Sequence, residues 1–211
     1  ITYKEIIKTD RVTVSYLLFP DKIGGDVKAH MKRNCEEGFE SYETDFSEIC
    51  QLLQENAAYS PFQFEGGKRG KDTIQGGAKF IALDVDKSLL TDVEADTLLN
   101  KYNHYIVRTS NPDNEFKFRA LIELDALVDI DSTHWKYFVE VVGEELGLEL
   151  DHVPKSQIYF SYAGRDILSH LDGEPLETKV LLERAYLRIN HKVVPQSKLT
   201  PKEKSVKLAD Q

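Results

Sequence analysis

Sulfur is scarce in this sequence of 211 residues, which holds two cysteines and one methionine. Cys35 and Cys50 form no CxxC pair, and no histidine stands at zinc spacing, so a disulfide framework and a structural zinc are excluded. That usage fits a reducing compartment, and a cytoplasmic location is expected. No apolar run approaches the roughly 20 residues that cross a bilayer. The opening ITYKEIIKTD also lacks the apolar core of a signal peptide, so no membrane partner is expected. An initiator methionine is missing too, and the chain reads as a piece of a longer protein.

Positive charge is in deficit. The net charge of −9 excludes indiscriminate attraction to nucleic acid over the whole surface. Local basic tracks remain, at Lys68, Arg69 and Lys71 and again from Lys179 to Lys207, and each reads equally well as a solvated face. The length suffices for one full domain with a proper core.

What the sequence does have is KFIALDVD, Lys79 to Asp86, a short apolar run that ends in two carboxylates. Phe80, Ile81, Ala82, Leu83 and Val85 predict a buried strand. Alternation along a strand puts Asp84 and Asp86 on one face at its end. Carboxylates that close repel unless a cation lies between them or one takes a proton, so removing either is expected to leave the fold intact or firmer. The pair reads either as a strand running out into a solvated acidic loop or as a hard-metal site for Mg²⁺ or Mn²⁺.

Elsewhere, a strand is predicted over 12–19 and a helix over 46–57, with 26–41 undecided and 60–77 a long polar loop. A helix over 92–102 has Val93, Leu98 and Leu99 inward, and strands follow at 104–109 and 116–124. The second of these alternates, with Phe116, Phe118, Ala120, Ile122 and Leu124 toward the core and Lys117, Arg119 and Glu123 away from it. Asp131 or Ser132 caps a helix over 133–146 that buries Trp135, Phe138, Val139, Val142 and Leu146 and stops at Gly147. A strand over 158–162 and a helix over 176–189 complete the series. From Lys79 the order is β-α-β-β-α-β, the split pattern of an RRM-like sheet with helices on one face and the other face free. The fold class is therefore α+β: an RRM-like sheet unit over 79–166 with an N-terminal α/β unit over 1–78, together a domain over 1–170. Residues 171–211 form a helix and a polar tail.

Asp151 ends an LEL run after the second crossover helix and is the natural third carboxylate. A DxD pair with one distant aspartate suits two divalent ions in nucleotidyl transfer. Basic and hydroxyl side chains must then meet phosphates, and Arg108, Thr109, Ser110, Lys117, Arg119, Lys155 and Arg165 lie near the ends of the flanking strands. Arg119 has a second reading, as an ion-pair partner of Glu123.

On these motifs the chain resembles the archaeo-eukaryotic primase superfamily, in particular phage and plasmid primase-polymerase domains. Leu83-Asp84-Val85-Asp86 matches the family's first motif and Leu150-Asp151 its third, within a resemblance over about residues 44–166. The middle motif departs, since Asn111 and Pro112 follow Ser110 where a histidine is usual. The resemblance implies a palm joined to an N-terminal α/β unit. It implies a catalytic and metal set of Asp84, Asp86 and Asp151, with Mg²⁺ or Mn²⁺ as cofactor. It also implies nucleotide contacts from Ser110, Asn111, Lys117, Arg119, Lys155 and Arg165, a single-stranded DNA template near Lys68, Arg69 and Lys71, NTP or dNTP as substrate, and a helicase domain following in the longer protein. Rival readings are a metal-dependent nuclease on the same carboxylates and a non-catalytic RRM-like nucleic-acid-binding module.

Overall fold

A computed structural model describes residues 10–20, 26–86, 89–109, 113–150 and 153–193. Strand β1 (Val12–Leu18) buries Val12 and Val14 completely. The undecided stretch resolves into helix α1 (Val27–Arg33), capped where the Asp26 carboxylate accepts the Ala29 N–H, and strand β2 (Glu40–Thr44). The helix expected over 46–57 is shorter: one 3-10 turn (Phe46–Glu48) leads into α2 (Ile49–Leu53). Its last residue, Ala57, opens β3 (Ala57–Ser60), where Ala57 and Ala58 pair with Leu18 and Leu17 of β1. Partners this distant leave no local trace in sequence.

The loop over 60–77 is a small hairpin, β4 (Gln63–Phe64) with β5 (Ile74–Gln75), closed by the turn Glu65–Gly67. Gly67 has φ +68, and a Cβ there would stand 2.5 Å from the Phe39 carbonyl oxygen, so the approach requires glycine.

Then follow β6 (Ala78–Val85), α3 (Asp92–Leu98), β7 (His104–Arg108), β8 (Phe118–Val128), α4 (Ser132–Leu146), β9 (Tyr159–Ser161), β10 (Ile167–His170) and α5 (Thr178–Val193). Helix α4 buries all five residues expected to face inward and ends at Gly147, φ +67. Helix α3 is rotated from expectation: Asp92, Ala95 and Leu99 face in, while Val93 and Leu98 are exposed. The cause is an ion pair, since the nearly buried Asp92 carboxylate accepts from Arg108 Nε at 2.5 Å. Phe116 is exposed as well, because β8 begins only at Phe118.

The strands form two four-stranded antiparallel sheets, β2-β1-β3-β9 and β10-β7-β8-β6. The second holds three strands of the expected palm, with β8 between β6 and β7. The expected fourth strand, β9, is not in it. It pairs instead with β3, through Ala57↔Ser161 and Tyr59↔Tyr159, and the unforeseen β10 extends the sheet beyond β7.

The expected open face is also covered along β6. Consecutive residues Phe80 to Leu83 are at most 1 % exposed, so both faces are packed. β9 lies against this strand, where the Tyr159 hydroxyl donates to the Ala82 carbonyl at 2.7 Å. One core runs through both sheets and takes in Leu181, Leu182 and Ala185 of α5. Among the described residues no helix is long and apolar enough to cross a membrane.

Candidate active site

Antiparallel pairing of β6 with β8 sets Asp84 opposite Arg119 and Val85 opposite Phe118. Residues directly opposite have Cβ atoms about 5 Å apart, so the strand register alone brings acid to base. Asp84 Oδ1 accepts from Arg119 Nε at 2.7 Å. One step out on the same face, Asp86 Oδ2 accepts from Lys117 Nζ at 2.6 Å. The two aspartates therefore share one strand face, each with its own cation. Among the described residues the second oxygen of each carboxylate takes no hydrogen bond.

Arg119 is 7 % exposed. Its Nη1 donates to the Phe160 carbonyl at 2.9 Å and the Tyr59 hydroxyl at 3.3 Å, and the guanidinium lies 4.6 Å from the Tyr159 ring centre. Burial works against its charge, but the Asp84 carboxylate and the Tyr59 hydroxyl outweigh burial and hold the guanidinium above its ordinary pKa. Burial likewise pushes the Tyr59 and Tyr159 phenols up, so both stay neutral hydroxyl groups. Their part was not foreseen, because neither tyrosine is near Asp84 in sequence and β9 was assigned to the other sheet.

The Arg119–Glu123 ion pair does not form. Four residues along a strand is about 13 Å, whereas the cross-strand neighbour is adjacent. Glu123 instead accepts from the Asn103 amide at 2.8 Å.

Lys155 is not brought to the aspartates. Its ammonium donates to the Ile130 carbonyl at 2.7 Å and lies 3.8 Å from Asp129, at the end of β8 remote from Arg119. Arg165 lies over the Tyr162 ring at 5.6 Å, beside Asp26, Lys28 and Asn56.

Lys68, Arg69 and Lys71 are exposed on the β4–β5 hairpin. Hydrogen bonds join that loop to its surroundings: Thr73 Oγ1 donates to the Lys68 carbonyl at 2.6 Å, and Arg69 Nε donates to the Ser156 carbonyl at 3.3 Å. Ser110, Asn111 and Asp151 lie outside the described residues. Among the described residues no three His, Cys, Asp or Glu side chains gather as a metal cluster.

The donor set itself suits a hard divalent cation. Asp84 and Asp86 offer two carboxylates on one face, each with an oxygen not hydrogen-bonded within the described structure, and hard cations take oxygen ligands.

No protein-family model and no curated protein sequence matches the chain. A structural similarity is found to the AEP domain of the cyanophage S-2L primase-polymerase (PrimPol), at 10 % identity and a TM-score of 0.44. It covers 82 % of this chain and 89 % of that one. A likeness of this size does not by itself define a fold family.

Proposed function

We propose that the chain is a nucleotidyltransferase of the primase-polymerase kind, adding nucleotides along a single-stranded DNA template. The observation that carries this reading is the pair Asp84 and Asp86, held on one strand face with a cross-strand cation beside each and one carboxylate oxygen left to give. Asp84, Asp86 and Asp151 would hold Mg²⁺ or Mn²⁺, which when bound activates the attacking hydroxyl and neutralises charge on the triphosphate. Arg119, committed to Tyr59 and the Phe160 carbonyl, fixes the angle at which Asp84 presents itself. Lys117, more exposed, is the cation placed to meet phosphate oxygens, with Ser110 and Asn111 as neutral donors. Lys68, Arg69 and Lys71 offer charge to the template backbone.

The test is incorporation of labelled NTP or dNTP on primed and unprimed single-stranded DNA with Mg²⁺ or Mn²⁺. Wild-type protein is expected to extend, and Asp86→Asn and Asp84→Asn, each shown to be folded by circular dichroism, are expected to fall to background. Metal-dependent DNA cleavage that needs no triphosphate would instead assign the carboxylates to a nuclease. Full synthesis by either variant would remove them from the chemistry.

A further inference from the structure

The two cations beside the aspartates are held very differently. Arg119 is locked: its side chain is 9 % exposed, and beyond Asp84 it has the Tyr59 hydroxyl, the Phe160 carbonyl and the Tyr159 ring. Lys117 has a side chain 32 % exposed and, among the described residues, one partner, the Asp86 carboxylate. One of its three ammonium hydrogens is used there, and the other two face no acceptor among the described residues. A lysine on a flexible four-carbon stem exchanges partners readily, whereas an arginine fork held at several points does not.

This asymmetry bears on how Asp86 receives a metal. A divalent cation on the open oxygen of Asp86 would repel the ammonium held on the other, and Lys117, unlike the multiply held Arg119, is free to leave. We propose that Lys117 is an exchangeable counter-cation, neutralising Asp86 while that carboxylate is metal-free and passing to the triphosphate of the incoming nucleotide when a divalent cation takes its place. The inference rests on the functional reading above and adds a sequence of events to it. Arg119 stays on Asp84 throughout, so one carboxylate keeps a fixed orientation while its neighbour changes partner. Lys117 is thus a positioning residue in the metal-free protein, and its ammonium becomes a phosphate contact only after the exchange.

The exchange makes two effects of one substitution run in opposite directions, which a merely structural lysine would not do. Direct Mn²⁺ binding, read by electron paramagnetic resonance of the free ion in the absence of nucleotide, is expected to tighten roughly three- to tenfold in Lys117→Met, because a competitor for Asp86 is gone. Lys117→Arg, which keeps the charge, is expected to bind Mn²⁺ no more tightly than wild type. With Mn²⁺ saturating, nucleoside triphosphate binding to Lys117→Met, read by calorimetry, is expected to weaken by a similar factor. Unchanged or weaker Mn²⁺ binding in a folded Lys117→Met overturns the proposal. Asp86→Asn separates the two readings: if it abolishes the Mn²⁺ site while Lys117→Met leaves that site unaltered, the metal centre stands and only the exchange falls. If wild-type protein binds no Mn²⁺ that Asp86→Asn removes, both fall together.

Discussion

Arg119 shows how far one side chain's surroundings can change its meaning. By alternation it points with Lys117 off the core face of a strand, which suggests a solvent-exposed phosphate ligand. In the structure that face of β8 is roofed by β3 and β9, and Arg119 joins the two sheets by way of Asp84, Tyr59 and the Phe160 carbonyl. The same surroundings argue against the expectation that losing either aspartate would leave the fold intact or firmer. Each carboxylate is already neutralised by its own cation, so attraction to that cation outweighs repulsion between the two acids. Breaking a buried pair from one side strands the other partner at a cost of about 3–5 kcal/mol, and Asp84, with its side chain 23 % exposed, recovers some of that from water. Arg119→Ala is therefore expected to lose about 2–4 kcal/mol in urea unfolding, with Arg119→Lys restoring only part, since an ammonium cannot replace the fork. Wild-type stability together with a raised nucleotide KM would return Arg119 to the phosphates.

At the scale of single elements, legibility followed locality. Helix α4 was readable because everything that defines it lies between Asp131 and Gly147: the cap, the apolar stripe and the glycine stop. The strand ending in Asp84 and Asp86 was readable because a short apolar run with a polar exit has few other solutions. What sequence could not supply was partnership. Ala57 looks like the end of a helix until β1 is beside it, and the two-residue strands of the β4–β5 hairpin are too short to show a period. β9 joins β3 because of pairings across a hundred residues. The orientation of α3 was missed because Asp92, an acidic residue at a helix start, turns inward to reach Arg108.

The locality of α4 also makes its cap a clean place to test linkage. Partial burial pushes the Asp131 carboxyl up, but the backbone N–H groups of His134 and Thr133 and the His134 ring outweigh it, and the net effect lowers its pKa. A group depressed in the folded state contributes stability above its unfolded pKa, about 3.9, and loses it as pH falls through the lower folded value. Asp131→Ala is expected to cost about 1 kcal/mol at neutral pH. That gap should close as unfolding is measured below about pH 4. A gap independent of pH would assign the loss to helix propensity rather than to the ionised cap.

Across the whole molecule, the question is what the last helix contributes. Read as sequence, residues 171–211 are a helix and tail appended to a domain that closes near residue 170. In the structure α5 lies along α4 and inserts Leu181, Leu182 and Ala185 into the core that also holds Trp135, Phe138 and the β6–β8 pair. Ion pairs of Arg184 with Glu145 and of Arg188 with Glu144 run along the outside of this contact. Exposed pairs of this kind are worth little, so the apolar insertion carries the attachment. Two buried leucines and an alanine, at about 1.5–3 kcal/mol for each leucine, amount to roughly 5 kcal/mol before the uncovered surface of α4 is counted. Small-domain stabilities are about 5–15 kcal/mol in total, so burial of this size is a large share of what holds the core that α5 joins. A chain truncated after Glu177 is therefore expected to lose cooperative thermal unfolding or to melt far below the parent, and to aggregate through the exposed face of α4. Leu182→Ala in the untruncated chain should lose about 2–4 kcal/mol while still unfolding in one transition. A truncated chain that melts cooperatively near the parent temperature would show that the core closes without α5, and would return the domain boundary to residue 170.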